Sequence, residues 1–332
     1  MQCFKELIEP GKGGDLVRKM RWVANAIGLL LVSVLVQCGS ARAPVIGADS
    51  ASFTFAITAD MRNFAGSGEF DTSQYFRGAV EEIADHSSSA FMVTPGDFDP
   101  PVNVLWTITQ TLGSDYIWYP VVGNHEIEPV SYMAWVRGYD YGEVNAGPSG
   151  CPETTYSFDY ANAHFVILNE YCNEIGDDGA GGDVSDHLYD WLVADLGNTT
   201  QQHIFVFGHE AAYPQPDADN GRERHLEDSL NKYPANRDRF WDLLRSQGVT
   251  AYICGHTHNY SLVNVAGVWQ LDVAHARGLG DTGAPSTFVL IHVDGPIVTY
   301  DTYRDDTEGG PYTLMHTGLL DGLPFFLPIA AR

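Results

Sequence analysis

Five short segments of this 332-residue chain carry side chains suited to holding cations: Asp60, Gly96-Asp97, Gly123-Asn124-His125-Glu126, Gly208-His209 and Gly255-His256-Thr257-His258. Carboxylate, amide oxygen and neutral imidazole together suit borderline first-row ions such as zinc, manganese or iron. A carboxylate can bridge two such ions about 3.5–4 Å apart, and the pair then lowers the pKa of a shared water toward about 7 and clamps phosphoryl oxygens. Glycine beside four of the segments lets the backbone turn sharply.

The segments follow short apolar runs that read as strands. Asp60 comes after Phe53–Thr58, Asp97 after Ala90–Thr94, and Asn124 after Trp118–Val122. His209 closes Gln202–Phe207, and His256 closes Ala251–Cys254. Helical spacing recurs between them. It runs through Phe76, Ala79, Val80 and Ile83, then Leu188, Trp191, Leu192 and Leu196 after a candidate cap at Ser185, then Phe240, Leu243 and Leu244 before a stop at Gly248. Thr155–Phe158 and His164–Leu168 form a hairpin pattern. Tyr260–Val265, Val268–Ala274, Thr287–Val293 and Ile297–Tyr300 read as further strands, and the tail from Leu319 has no assigned role. This alternation predicts an α/β protein, and open α/β sheets build their sites at the carboxyl ends of strands.

In order and in kind, Asp60, Gly96-Asp97, Gly123-Asn124-His125-Glu126, His209 and Gly255-His256-Thr257-His258 resemble the motifs of the calcineurin-like metallophosphoesterases, which include purple acid phosphatases and phosphodiesterases. The resemblance implies a four-layer α/β/β/α sandwich of two mixed sheets flanked by helices. It implies two divalent or trivalent ions (iron, manganese or zinc), with Asp97 bridging, Asp60 and His258 on the first ion, and Asn124, His209 and His256 on the second. It implies hydrolysis of phosphate mono- or diesters by a metal-bridging hydroxide, with His125 beside the leaving group as proton donor or phosphate contact. Such a donor is worth typically about 10²–10⁴ in rate.

The first motif departs from the family. Where the family has Asp-x-His, this chain reads Asp60-Met61-Arg62, and Pro100 stands where purple acid phosphatases place a tyrosine. A charged guanidinium is no metal ligand, so water, Asn63 or another group must complete the first ion's shell. Arg62 is left either to grip a substrate phosphate or to form a structural ion pair. Two alternatives to simple ester hydrolysis follow. One is a non-catalytic binding protein on a decayed phosphoesterase fold, for which Arg62 is the support. The other is a nucleotide pyrophosphate hydrolase, in which Tyr132, Trp135, Tyr139, Tyr141 or Tyr213 would stack on a base. Of the remaining residues, Glu210 is a candidate for orienting His209, and His164 and His292 fit structural roles.

With 18 basic and 43 acidic residues the net charge is -25. Such a surface repels nucleic acid and anionic membranes, so neither is an expected partner, and a phosphate-ester substrate needs local positive charge. Oligomeric state is not legible.

Residues 1–43 read as a signal peptide. Arg18, Lys19 and Arg21 precede an apolar run from Trp22 to Val36, and Ala41-Arg42-Ala43 offers a cleavage site. Export to a periplasm or the extracellular space follows, with no stable membrane insertion after cleavage. Leu35-Val36-Gln37-Cys38 also resembles a lipoprotein box, making Cys38 a candidate lipid anchor, and an uncleaved anchor is the further alternative. Residues 44–332 are expected to form a single domain. Export permits a disulfide between Cys151 and Cys172, while Cys254 reads as a buried thiol.

Overall fold

The computed structural model describes residues 52–62, 74–127, 130–173, 176–177, 181–276, 284–305 and 310–322. The signal-peptide region, Cys38 and Asn63 lie outside the described residues.

The first half alternates strand and helix: β1 (Ser52–Ile57), α1 (Gln74–His86), β2 (Phe91–Thr94), α2 (Pro101–Leu112) and β3 (Ile117–Pro120). Short helices α3 (Asn124–Ile127) and α4 (Val130–Arg137) follow, then β4 (Asn145–Ala146) and a hairpin of β5 (Tyr156–Tyr160) and β6 (Ala163–Ile167). A small pair, β7 (Cys172–Asn173) and β8 (Gly176–Asp177), precedes α5 (Asp186–Asn198), β9 (His203–Phe207), α6 (Pro234–Gln247) and β10 (Ala251–Cys254). Five strands follow: β11 (Tyr260–Val265), β12 (Val268–Val273), β13 (Ser286–Asp294), β14 (Ile297–Asp305) and β15 (Thr313–Asp321).

Two mixed sheets result, ordered β15-β14-β13-β1-β2-β3 and β11-β12-β10-β9-β6-β5-β4. Strand alternation decides which residues face which layer. Phe55 and Ile57 of β1, Phe91 and Val93 of β2, Phe205 and Phe207 of β9, and Ile253 of β10 point between the sheets. Phe91 meets Phe165 edge-on at 5.1 Å between centroids, and Phe55 meets Phe205 at 5.2 Å, a geometry worth about 0.5–1.5 kcal/mol per pair beyond burial. The opposite faces carry the helices. Ala56 and Met92 meet Phe76, Val80 and Ile83 of α1 and Val104 and Ile108 of α2. Val166, Val206 and Tyr252 meet Leu188 and Leu192 of α5 and Phe240 and Leu244 of α6. This is the expected α/β/β/α sandwich.

Local signals held to different degrees. Gly248 ends α6 in the left-handed region (φ 69°), its N–H bonding to Leu244 and Arg245 carbonyls. Ser185 occupies the N-cap of α5 but makes no side-chain cap bond. Cys151 and Cys172 are disulfide-bonded, and Cys254 is a buried free thiol. Several elements had no sequence prediction, α2 and β15 the longest among them. α2 hides its period behind Val102, Val104, Thr107, Ile108 and Thr109, and β15 is an edge strand whose exposed residues break the alternation.

Candidate metal centre

β1, β2 and β3 run parallel in one sheet, and β9 and β10 run parallel in the other. Their carboxyl ends meet, and short backbone bonds lace the exits together. Asp60 N–H donates to Gly96 O (3.1 Å), and Gly255 N–H donates to His209 O (3.0 Å). Across the sheets, His256 N–H donates to Asp60 Oδ2 (2.9 Å) and His209 Nδ1–H donates to Pro95 O (2.8 Å). At Gly96 (φ 85°) a Cβ would overlap the His209 ring, so only glycine admits this approach.

Four of the six expected ligands sit at positive φ: Asp60 (52°), Asp97 (55°), His256 (68°) and His258 (58°). Such conformations cost about 1–3 kcal/mol each outside glycine and persist where the surroundings hold them. Here buried carboxylates do so. Glu126, the fourth residue of its motif, is fully buried and accepts N–H bonds from Asp97 (2.9 Å), Phe98 (2.9 Å) and Gly123 (2.8 Å). Asp272 accepts the Thr257 hydroxyl at 2.6 Å and so steadies the loop between the last two histidines.

The side chains converge. Ligand atoms of Asp60, Asp97 and His209 all lie within 4.8 Å of one another. His209 Nε2 is 3.2 Å from Asn124 Oδ1 and 3.5 Å from Asp97 Oδ1. His258 Nε2 is 3.2 Å from Asp60 Oδ1, and that oxygen accepts no hydrogen bond of good geometry although fully buried. The His209 and His256 rings are 5.0 Å apart. Because a carbonyl can only accept, Pro95 fixes the His209 proton on Nδ1 and leaves Nε2 toward the carboxylates. Asp228 O, 2.8 Å from His256 Nε2, likewise leaves Nδ1 of that ring for the centre.

The electrostatics call for positive charge. Burial alone would lower the His209 pKa, yet Asp97 and Asp60 outweigh it and lift it to about 9. Burial raises Asp60, but His258 and His209 overcome it and hold the carboxyl below its ordinary range. Asp97 is pushed up by burial and by the Asp60 charge. Carboxylate and amide oxygens and imidazoles thus crowd one buried cluster, and the donor set fits hard-to-borderline cations.

A cavity of about 430 Å³ opens over this cluster, lined by Asp97, Asn124, His125, His256 and His258 together with Gly181, Glu210, Arg224, His225, Asp228 and Lys232. His125 is half-buried, with Nε2 3.6 Å from Asp97 Oδ2. Arg62 is elsewhere: its Nε pairs with Asp99 Oδ1 at 2.6 Å and it does not line the cavity, which is the ion-pair alternative. Glu210 is not the acceptor of the His209 ring proton, which goes to Pro95 O. Its carboxylate accepts the Tyr171 hydroxyl (3.0 Å) and Gly182 N–H (2.7 Å). Four of the five candidate stacking aromatics, Trp135, Tyr139, Tyr141 and Tyr213, pack on their own domain. Trp135 stacks on Tyr139 at 5.0 Å, Tyr141 lies 4.4 Å from Tyr156, and Tyr213 meets Trp241 at 5.0 Å. His292 is held between Thr54 and Asp301 inside its sheet, and His164 between Asp159 of its hairpin and Asp195 of α5.

Arg224, His225, Asp228 and Lys232 were not anticipated. They lie in or beside a polar loop with no strand end and no periodicity to single them out. His225 lies 4.5 Å from the His256 ring and gathers with Asp228 rather than with Asp60 and His258.

Two facing sheets, one ending in carboxylate and amide donors and the other in imidazoles around one cavity, define a metal-dependent phosphoesterase architecture. The calcineurin-like phosphoesterase family model matches residues 53–260, and the chain belongs to that family. No curated protein matches it. Among solved structures it resembles the purple acid phosphatase PPD1 from yellow lupin (Lupinus luteus) seeds at 14% identity and TM-score 0.58, covering 81% of this chain and 54% of that one. It also resembles PhoD at 13% identity and TM-score 0.58, covering 82% and 71%. GAP50, the anchor in the inner membrane complex of Plasmodium, matches at 11% identity and TM-score 0.52, covering 82% and 89%. The chain spans about half the length of the lupin enzyme, and these likenesses concern the fold.

Proposed function

We propose that this chain hydrolyses phosphate mono- or diesters at a two-metal centre held by Asp60, Asp97, Asn124, His209, His256 and His258. The observation that carries the reading is the convergence of Asp60, Asp97 and His209 ligand atoms within 4.8 Å, with Asn124 and His258 in hydrogen-bonding reach of them. When bound, ions of the iron, manganese or zinc class offset phosphoryl charge and acidify a water for attack. The protein's own groups do the rest. Asp97 lies between the two ligand sets. His125, at the cavity and beside Asp97, is placed to give a proton to the departing oxygen. Arg224, His225 and Lys232 line the same cavity and supply cationic or hydrogen-bonding groups that an acidic protein needs to admit an anion.

Arg62 favours a second reading, a binding protein on a phosphoesterase fold, because it stands where the family has its first-motif histidine and pairs with Asp99. Metal content and turnover of p-nitrophenyl phosphate and its bis-ester separate the two. Stoichiometric metal with no turnover across a broad ester panel would reject catalysis. We also place the chain outside the cytoplasm. The Cys151–Cys172 bond supports this, since such bonds persist in oxidising compartments. Among the described residues no helix is long and apolar enough to cross a membrane.

A further inference from the structure

We propose that Glu170 is the residue that positions His209 for metal binding, an inference that rests on the metal-centre reading above. Glu170 lies beyond the end of β6, is 2% exposed, and belongs to none of the family-like motifs. One carboxylate oxygen, Oε2, accepts the N–H of His209 (2.9 Å) and the N–H of Glu210 (2.7 Å). The other, Oε1, accepts the Tyr252 hydroxyl at 2.5 Å. The carboxylate therefore fills the turn that the chain makes on leaving β9. Gly208 makes room for it: a Cβ there would overlap both Glu170 Oε1 and the Tyr252 oxygen.

The His209 imidazole is thereby held from two directions. Its Nδ1–H is tied to Pro95 O, from the first sheet's side of the cleft, and its backbone N–H is tied to Glu170 on its own side. The Pro95 bond fixes which nitrogen faces the ions, and the Glu170 bond fixes where the ring's root stands. Glu170 is itself well anchored. Asn169 N–H donates to Thr155 Oγ1 (3.1 Å), Asn169 Nδ2 donates to Thr154 Oγ1 (2.9 Å), and Cys172, two residues on, is bonded to Cys151. A ligand whose supporting acceptor is removed loses metal affinity by about 10–100-fold.

The role is that of an acceptor rather than a charge, and this separates it from general support of the fold. In Glu170→Gln the amide oxygen can take the place of Oε2 and accept both N–H groups, while the NH2 faces the Tyr252 oxygen. The test measures Zn2+ affinity and stoichiometry by chelator competition on the full chain and on Glu170→Ala, Glu170→Gln, His209→Ala and the Glu170→Ala/His209→Ala pair. Glu170→Ala is expected to weaken one ion by about 10–100-fold and leave the other unchanged. Glu170→Gln is expected to keep wild-type affinity, and Glu170→Ala is expected to cost nothing further once His209 is gone. If alanine does not fold, Glu170→Asp replaces it, because its shortened carboxylate withdraws from the His209 N–H. Equal weakening of both ions, unchanged binding in the folded alanine or aspartate variant, or loss of an ion in Glu170→Gln would each overturn the Glu170 assignment alone. A wild-type chain that binds no Zn2+ would defeat the metal-centre reading and this proposal with it.

Discussion

His209 Nε2 lies 3.2 Å from Asn124 Oδ1, while Nδ1 of the same ring donates to Pro95 O at 2.8 Å. A neutral ring in this pose turns a lone pair toward an amide oxygen and toward Asp97, and only a positive centre relieves that opposition. Without metal, Asp97 and Asp60 overcome the effect of burial and keep a proton there, with a pKa of about 9. Metal binding at pH 7–8 should therefore expel a proton from His209, and affinity should fall as pH drops below about 9. Titration calorimetry in buffers of different ionisation enthalpy measures the release. Binding with no proton release would contradict this arrangement.

Asp97 and His125 should separate binding from chemistry. Asp97→Asn removes the charge between the two ligand sets, so metal and activity should be lost together. His125→Ala should keep the metal content and lower the rate by about 10²–10⁴ on esters with poor leaving groups. Metal analysis beside kcat decides it. Full activity of His125→Ala on those esters would end the assigned role.

A pH effect on stability should appear away from the site. His164 is bracketed by Asp159 Oδ1 (2.6 Å) and Asp195 Oδ2 (2.9 Å). Burial opposes its charge, but the two carboxylates win and raise its pKa above 6.5. A raised pKa stabilises the fold fully below the unfolded value and loses that contribution as pH rises through the folded one. His164→Gln should thus cost about 1–3 kcal/mol near pH 5.5 and less near pH 9, by urea unfolding at both. An equal cost at the two pH values would refute the charged bracket.

The disulfide should matter to both stability and site. Cys151 and Cys172 are 21 residues apart, and loss of such a cross-link costs typically about 2–4 kcal/mol. Cys151→Ser/Cys172→Ser should lower the melting temperature accordingly. It should also weaken metal binding, because Glu170 shares the tethered segment. Wild-type metal affinity in the folded double variant would uncouple the two.

The site's inner layer was readable because each candidate segment follows an apolar strand and all but Asp60 carry a glycine, as Gly96-Asp97 and Gly255-His256-Thr257-His258 do. Strand ends collect at one edge in any α/β sheet, so order along the chain was enough to predict convergence. Glu126 travelled inside such a motif, yet its task of gripping three N–H groups belongs to geometry. Arg62 shows the limit from the other side. A guanidinium suits phosphate and carboxylate equally, and the carboxylate that stands 2.6 Å from it, Asp99, is a contact the sequence did not single out.

Periodicity and side-chain chemistry at fixed spacings were enough for the sandwich, the family and the residue types that converge at the strand ends. The tertiary structure decided what stands behind and around them: Glu170 under His209, the Pro95 carbonyl that sets its tautomer, and the loop bringing His225 to His256. Those contacts join residues far apart in sequence through hydrogen bonds a few ångströms long, and the linear order of a chain carries no record of such distances.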